Sequence, residues 1–573
     1  MPRSSELRST AVLGLISGII LIYLCLVGIV EAFADRNVVT NVFTLGRVML
    51  ALPPLVVGYV AAGRLQHRSG AGRLVAGGLA GVIGGALLGL FLLFASAVDV
   101  RDIFVRVSPA LLDFLAFGQD PAVGAILNLV FGAVCGVAAA GVRVAPPRWR
   151  RPVIAGALGV VITSMLEPFL RPRLQEFDLG AVAKLLYESH GLSIGSAIIV
   201  FAIVAAATYL WRPTRVRLSR RLERADPSTQ NTLRWIGALA GILFLLSLPQ
   251  LAGPLLSQVL VLVGLYVLLG LGLNIVVGYA GLLDLGYVAF YAVGAYLTAL
   301  LTSPSSSLGW GLPFWLALPI VVLGAAVTGL LIGAPVLRLR GDYLAIVTLG
   351  FGEIARILFL SDALKPVFGG TQGILSVAPI FGTNVIDLPI LGWHLTGPTL
   401  TYYPLLVFCL IAGFVAYRLK YSRTGRAWNA MREDEDVAEA TGISTVNYKL
   451  LAFAMGASIG CLGGAIFATH LQSVFPGSFN ILVSITVLAI VILGGMGSIP
   501  GVVVGSLALI GLPELLREFA EFRLLVYGAV LVLMMLVRPE GLIPDYVRRR
   551  ELHEESGPES LDATAGVHVG TAE

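Results

Sequence analysis

The residue types that carry covalent or metal chemistry are few in this chain and stand apart from one another. The six histidines, His67, His190, His394, His470, His553 and His568, are scattered, and no two are neighbours in sequence. The four cysteines, Cys25, Cys135, Cys409 and Cys461, sit singly inside apolar runs without C-x-x-C spacing, as small buried hydrophobes do. No H-E-x-x-H occurs. None of the four lysines (Lys184, Lys365, Lys420, Lys449) follows a glycine, so the G-x-x-x-x-G-K-[ST] loop that cradles nucleotide phosphates is missing. The pattern points away from an enzyme and requires no cofactor or metal. Any ATP-driven work needs a motor on another polypeptide.

The remaining polar groups lie in apolar surroundings, where an Asp at the bilayer centre costs about 2.5–3.5 kcal/mol. Asp284 falls among glycines. It either lines a pathway or caps the helix that follows. Asn274 lies deeper in an apolar run and is expected to hydrogen-bond between helices. Asp342, after Gly341, is expected to cap a helix start, and Glu353 and Arg356, three apart on one helical face, are expected to pair. Arg47 and Glu167 are isolated, which leaves pairing across helices and an interfacial position both open.

The elements that must position these groups follow from composition. The 573 residues are 57% hydrophobic and only 13% charged, against about 25% charged in soluble domains. Apolar runs of roughly 20 residues, the length that crosses a bilayer, recur from Ala11 to Val537. The expected fold class is an all-α polytopic membrane protein with about 16 transmembrane helices. Six of these are read at 10–30, 42–62, 74–98, 121–142, 153–170 and 192–211. About ten more are read at 235–249, 255–277, 281–301, 313–336, 342–360, 401–417, 449–470, 481–496, 501–515 and 523–538. The run Ala11–Val30 is long enough to anchor rather than to be cleaved.

With both termini cytoplasmic, the inside segments of the first block hold 16 Lys or Arg and the outside segments six. In the second block Arg338, Arg340, Lys420, Arg423, Arg426, Arg432, Arg538 and Arg548–Arg550 fall on the same side. The net charge of +5 understates this bias, because the tail from Glu551 is acidic and lacks Lys and Arg. Arginines that flank apolar runs read as topology signals rather than as a nucleic-acid surface. Four segments result: a six-helix block over 1–211, a basic cytoplasmic linker over 212–234, a second membrane domain over 235–548 and an acidic disordered tail over 549–573. The stretch RPTRVRLSRRLERADPSTQN at 212–231 carries six arginines within 13 residues and could also lie on anionic lipid headgroups.

Two features interrupt this pattern. Gly278-Tyr-Ala-Gly281 and Gly494-Gly-Met-Gly497-Ser-Ile-Pro-Gly501 break apolar spans more than 200 residues apart. Irregular backbone at membrane depth survives only where it lines a cavity or is buried in protein. Paired breaks point to an internal repeat and a transport pathway; ordinary tight turns between short helices are the other reading. The second feature is KYSRTGRAWNAMREDEDVAEATGI at 420–443, which is polar and rich in helix formers. A solvated loop would need no Trp428 or Met431. A short helix docking into a partner's groove would use them as anchors.

That stretch resembles the cytoplasmic coupling loop of the branched-chain amino acid ABC permeases of the LivM type. The pattern S-R-x-G-R-A stands here as Ser422-Arg423-Thr424-Gly425-Arg426-Ala427, and A-x-x-x-G-I as Ala438-Glu439-Ala440-Thr441-Gly442-Ile443. Glu439-Ala440 is followed by Thr where the E-A-A motif has Ala. The runs Leu273–Tyr296 and Leu339–Glu353 are similar to the same family in the same order, and the glycine region 494–501 is shared more widely, sugar permeases included. The resemblance spans about residues 235–548, and residues 1–230 show none.

The resemblance implies a bacterial inner-membrane permease that forms half of a translocation path for branched-chain amino acids. Its implied partners are two ABC ATPase subunits, a second related permease and a soluble substrate-binding protein. It places Gly425, Arg426, Ala427, Met431, Glu433, Asp434, Ala438 and Gly442 on the ATPase-coupling loop. It places Asn274, Gly278, Gly281, Asp284, Gly286, Gly294, Gly495 and Gly497 along the path. A permease for urea, short amides or other amino acids is the nearest rival. An ion-coupled secondary transporter would need an intramembrane carboxylate or histidine relay, for which the sequence offers only isolated candidates.

Overall fold

The computed structural model describes residues 4–65, 69–176, 179–188, 191–223, 227–336, 341–382, 385–388, 393–515 and 541–543, with a few single positions between. It is helical throughout apart from short two-stranded pairings. Among the described residues ten helices are long and apolar enough to cross a membrane. A further pair, Pro147–Met165 and Glu167–Glu176, is bent by 70° where one span was expected at 153–170. Four shorter apolar helices, Ile194–Leu210, Leu239–Gln250, Val288–Thr302 and Ile499–Glu514, accompany them. The chain is an all-α polytopic membrane protein. The expected span 523–538 lies almost wholly outside the described residues, as do the tail 549–573 and the cations Arg338, Arg340, Arg538 and Arg548–Arg550.

The chain divides into two units, Met1–Ala238 and Leu239–Glu573. The basic stretch expected as a linker is helical where it is described. One helix runs Ile194–Glu223 and the next begins at Pro227, a residue suited to a first helical turn. Leucine and arginine are good helix formers, so a polar composition there does not make a loop.

In the first unit the helices Gly70–Ala97 and Pro121–Val144 approach closely enough for backbone contact. A Cβ built on Gly81 would stand 2.0 Å from the Gly132 carbonyl oxygen, and one on Gly136 would stand 2.2 Å from that of Gly77. Small residues four apart on both helices make this packing, the usual device where lipid offers no hydrophobic drive. Asn128 is buried in the same interface and donates to the Leu115 and Gly124 carbonyls, both at 2.8 Å. The two isolated charges found partners of different kinds. Glu167 lies between Arg171 at 3.2 Å and Arg36 at 3.7 Å. The Arg47 guanidinium stands over the rings of Phe117 and Phe114, at 4.2 and 5.2 Å.

In the second unit the span Leu255–Tyr279 follows a break at Gly253, whose φ of 82° ends one helical segment and starts another. Helices Val288–Thr302 and Phe314–Val336 both pack on Thr445–Leu471. At one contact a Cβ on Gly294 would stand 2.2 Å from the Cys461 carbonyl oxygen, so only glycine fits. Cys461 itself donates to the Phe290 carbonyl at 2.8 Å, and the four cysteines are unpaired. Glu353 and Arg356 form the expected pair on the Asp342–Leu360 helix, two bonds of it at 3.0 Å. The expectation for Asp342 needs correction: Gly341, with φ 55°, holds the N-cap position, and Asp342 is the first helical residue. A conformation with positive φ suits glycine, so the cap falls one residue earlier.

Candidate functional site: an elbow seated on two broken helices

The polar segment 420–443 folds as an elbow. The Ser422 hydroxyl accepts the Gly425 N–H at 3.2 Å and starts the helix Arg423–Glu433. Asp434 leaves helical geometry and caps the next helix, Glu435–Ala440, by accepting from the Asp436 and Val437 N–H groups at 2.9 and 3.0 Å. The far end closes on Gly442, φ 90°, with Ile443 N–H to the Ala438 carbonyl at 3.1 Å and Gly442 N–H to that of Glu439 at 2.9 Å. This glycine-terminated pattern satisfies the last helical carbonyls. Every turn of the elbow is therefore fixed by groups within it.

One face is held against the rest of the unit. Trp428 is fully buried and donates its indole N–H to the Tyr448 carbonyl at 2.8 Å. Gly425, Ala427, Met431 and Ala438 are buried beside it. The Lys449 ammonium meets the Glu435 carboxylate at 2.5 Å. Trp428 and Met431 were expected as anchors in a partner's groove, and the structure corrects this. With its surface covered and its only donor used, the indole seats the elbow on its own chain. Gly425 serves the same end, since a Cβ there would stand 2.3 Å from the Leu419 and Lys420 carbonyl oxygens. The opposite face is exposed and carries Arg423, Arg426, Glu433, Asp434, Asp436, Val437 and Glu439, with Ala440, Thr441 and Gly442 at its end.

The two glycine breaks meet beneath the elbow. Asn274–Tyr279 widens into a π-helical turn, a form that recurs at functional sites. A second π-helical turn, Leu507–Gly511, lies just beyond the other break. The Asn274 side-chain oxygen accepts the Gly497 N–H at 2.8 Å, joining positions 223 residues apart. Gly278 packs into that contact: a Cβ there would fall 2.2 Å from the Asn274 oxygen. Gly497 has φ 80° and Gly495 φ 116°. The described residues 541–543 close over the second break, with Leu542 N–H on the Leu493 carbonyl at 2.8 Å and Ile543 N–H on that of Gly494 at 3.0 Å.

Two cations join the elbow to these breaks. Lys420, at the end of the Gly397–Lys420 helix, donates to the Gly497 carbonyl at 3.0 Å. Arg432, in the last turn of the first elbow helix, donates to the Gly278 carbonyl at 2.8 Å. Gly281, φ 72°, gives the arginine room, since a Cβ there would stand 2.5 Å from its Cγ. In the sequence both cations read only as topology signals, because their position beside a glycine break is not visible in spacing.

The remaining path candidates lie further along. Asp284 is buried, accepts the Gly286 N–H at 2.9 Å in the turn before Val288–Thr302, and leaves its other oxygen without a hydrogen bond. Gly286 presses on the Thr348 carbonyl, 1.9 Å from a built Cβ. Gly294 belongs to helix packing rather than to the breaks. A cavity of about 280 Å³ lies elsewhere in this unit, lined by Thr401, Thr469, His470 and Gln472 among others, none of them foreseen. Among the described residues no three or more His, Cys, Asp or Glu side chains could hold a metal ion.

A family model described as "Branched-chain amino acid transport system / permease component" matches residues 255–537. The permease protein LivM of the high-affinity branched-chain amino acid transport system of Escherichia coli K12 is 44% identical over 295 residues, 49% of this chain and 68% of the relative. The chain belongs to this family of branched-chain amino acid permeases. A probable permease LivM of Methanocaldococcus jannaschii is 25% identical over 343 residues, 51% of this chain and 94% of that one. The LivH permease protein of Salmonella typhimurium is 25% identical over 297 residues, 48% of this chain and 91% of its own. No solved structure matches. The permease family thus accounts for the unit that holds the elbow and the breaks.

Proposed function

We propose that this chain is a permease subunit of an ATP-driven importer of branched-chain amino acids in a bacterial inner membrane. The observation that carries the reading is the elbow. It is a rigid, self-seated projection whose exposed face is uncovered among the described residues of its own unit. Its relatives are named as components of branched-chain amino acid transport systems, and the sequence lacks a phosphate-cradling loop of its own. Two separate ATPase subunits work on the cytoplasmic side, where both termini also lie, and the exposed elbow face is where they couple to this chain. A second related permease completes the path, and a soluble binding protein delivers substrate. The residues from Asn274 to Gly286, with Gly495 and Gly497, border the path. The first unit, Met1–Ala238, is a membrane-embedded addition outside the matched region.

Gly425 and Ala438 are unsuited to a surface test because both are buried. Val437, 58% exposed, is the better probe. The chain, expressed with its neighbouring genes, is expected to purify with ATPases and a second permease, and to take up leucine, isoleucine or valine into vesicles when ATP is supplied. Val437→Arg is expected to release the ATPases while the membrane core keeps its melting temperature. Purification of the chain alone, with uptake driven by an ion gradient, would refute the reading. ATP-driven uptake of urea or short amides in place of branched-chain amino acids would refute its substrate part.

A further inference from the structure

Lys420 and Arg432 close a ring of contacts through the site. Starting at Lys420, the ring passes to the Gly497 carbonyl, then from the Gly497 N–H to Asn274, along one helical turn to Gly278, and from the Gly278 carbonyl to Arg432. The helix Arg423–Glu433 returns it to the start. Each link is a hydrogen bond or covalent backbone, and two are charge-assisted. The carbonyls involved stand at breaks, where helical pairing is interrupted and side-chain donors are needed.

We propose that Lys420 and Arg432 are positioning residues for transport: a two-point latch that ties movement of the elbow to rearrangement of both broken helices. The elbow is stiff, because its caps and its buried indole are satisfied internally. It therefore moves as a body, and the two cations reach the two breaks from near either end of its first helix. A shift of the elbow that leaves the breaks in place must part both charge-assisted bonds. A shift that keeps the bonds must move the Gly278 and Gly497 segments together, since Asn274 joins them. The glycines at 281 and 497 supply backbone freedom for that movement, and Gly281 leaves space for the Arg432 stem.

The inference rests on the proposed function, and the test separates the two. The whole chain is reconstituted with its co-purifying subunits in vesicles, and uptake per ATP hydrolysed is measured for the parent, Lys420→Gln, Arg432→Gln, Lys420→Arg and Arg432→Lys. The glutamine variants are expected to keep their ATPases and hydrolyse ATP, with uptake per ATP lowered about tenfold or more, the effect of losing one charge-assisted hydrogen bond. The double glutamine variant is expected to fall little below the worse single one, because the ring is already open. The conservative swaps should recover part of the ratio, ending above the glutamine variants and below the parent. Should a glutamine variant not accumulate as folded protein, the swaps carry the test through altered reach, with a drop of about two- to fivefold expected. An unchanged ratio in every folded variant, or loss of ATPase binding from Arg432→Gln, overturns the latch. A parent preparation without ATPases overturns the functional reading and the latch with it.

Discussion

Trp428→Ala tests the elbow's seating most directly. The indole is wholly buried and its N–H is bonded to the Tyr448 carbonyl at 2.8 Å. Removing it deletes the largest buried group of the elbow and its bond to that carbonyl, which keeps its partner within the Thr445–Leu471 helix. Truncation of a buried Trp costs about 3–5 kcal/mol, which corresponds to a factor of about 10² to 10⁴ in the seating equilibrium. The loss is local, because the Lys449–Glu435 pair and the bonds from Lys420 and Arg432 still tie the elbow to the unit. Hydrogen exchange followed by mass spectrometry, on protein in nanodiscs, reads this by segment. Amides of 425–433 are expected to exchange about 100-fold faster or more, while those in the middle of Thr445–Leu471 stay protected. Trp428→Phe keeps one aromatic ring and loses the pyrrole part with its donor, so its effect should be smaller, about 1–3 kcal/mol. Elbow exchange within tenfold of the parent in Trp428→Ala would show that the indole does not hold the elbow. Uniformly faster exchange across the second unit would show that it belongs to the general core instead.

Two other substitutions probe the scaffold. Gly294→Ala places a methyl group 2.2 Å from a backbone oxygen that cannot rotate away, and is expected to lower stability by about 1–3 kcal/mol, with Gly294→Val worse; melting in detergent measures both. Asn274→Ala removes the acceptor of the Gly497 N–H and is expected to destabilise by about 1–3 kcal/mol in a denaturant titration, while Asn274→Asp keeps an acceptor and loses less.

Several of these features were legible in the sequence because their physics is local. An apolar run long enough for a bilayer is visible without a partner, and the spans emerged close to where hydropathy put them. Asn274 was readable because an amide in an apolar run must find a partner, and Glu353 with Arg356 because three residues separate them on one helical face. What covers an amphipathic face was not legible. Trp428 and Met431 showed that the elbow had an apolar side, but spacing cannot say whether that side meets its own chain or another. Arg432 and Lys420 were hidden by a rule that explained them too easily: arginine near a span end satisfies the topology bias whether or not its guanidinium caps a carbonyl. The bend between Met165 and Glu167 escaped for a related reason, since Glu167 reads as an interruption only once Arg36 and Arg171 are seen to hold it.

The seating of the elbow bears on how a separate motor could work through it. Had the indole been left for the partner, the elbow would gain its shape only on binding, and much of the binding energy would go into ordering it. Here the caps, the closing glycine and the buried indole fix the shape beforehand. The exposed face can then bind and release without melting, and force applied to it is delivered to Gly278 and Gly497 rather than absorbed. Linkage makes this connection work in both directions. If a displaced elbow favours one arrangement of the breaks, then whatever stabilises that arrangement from within the membrane displaces the elbow by the same free energy. Under the proposed function, substrate in the path biases the ATPases through the same two carbonyls by which ATP biases the path. Parting Arg432 from Gly278 should therefore weaken substrate stimulation of ATP hydrolysis along with uptake.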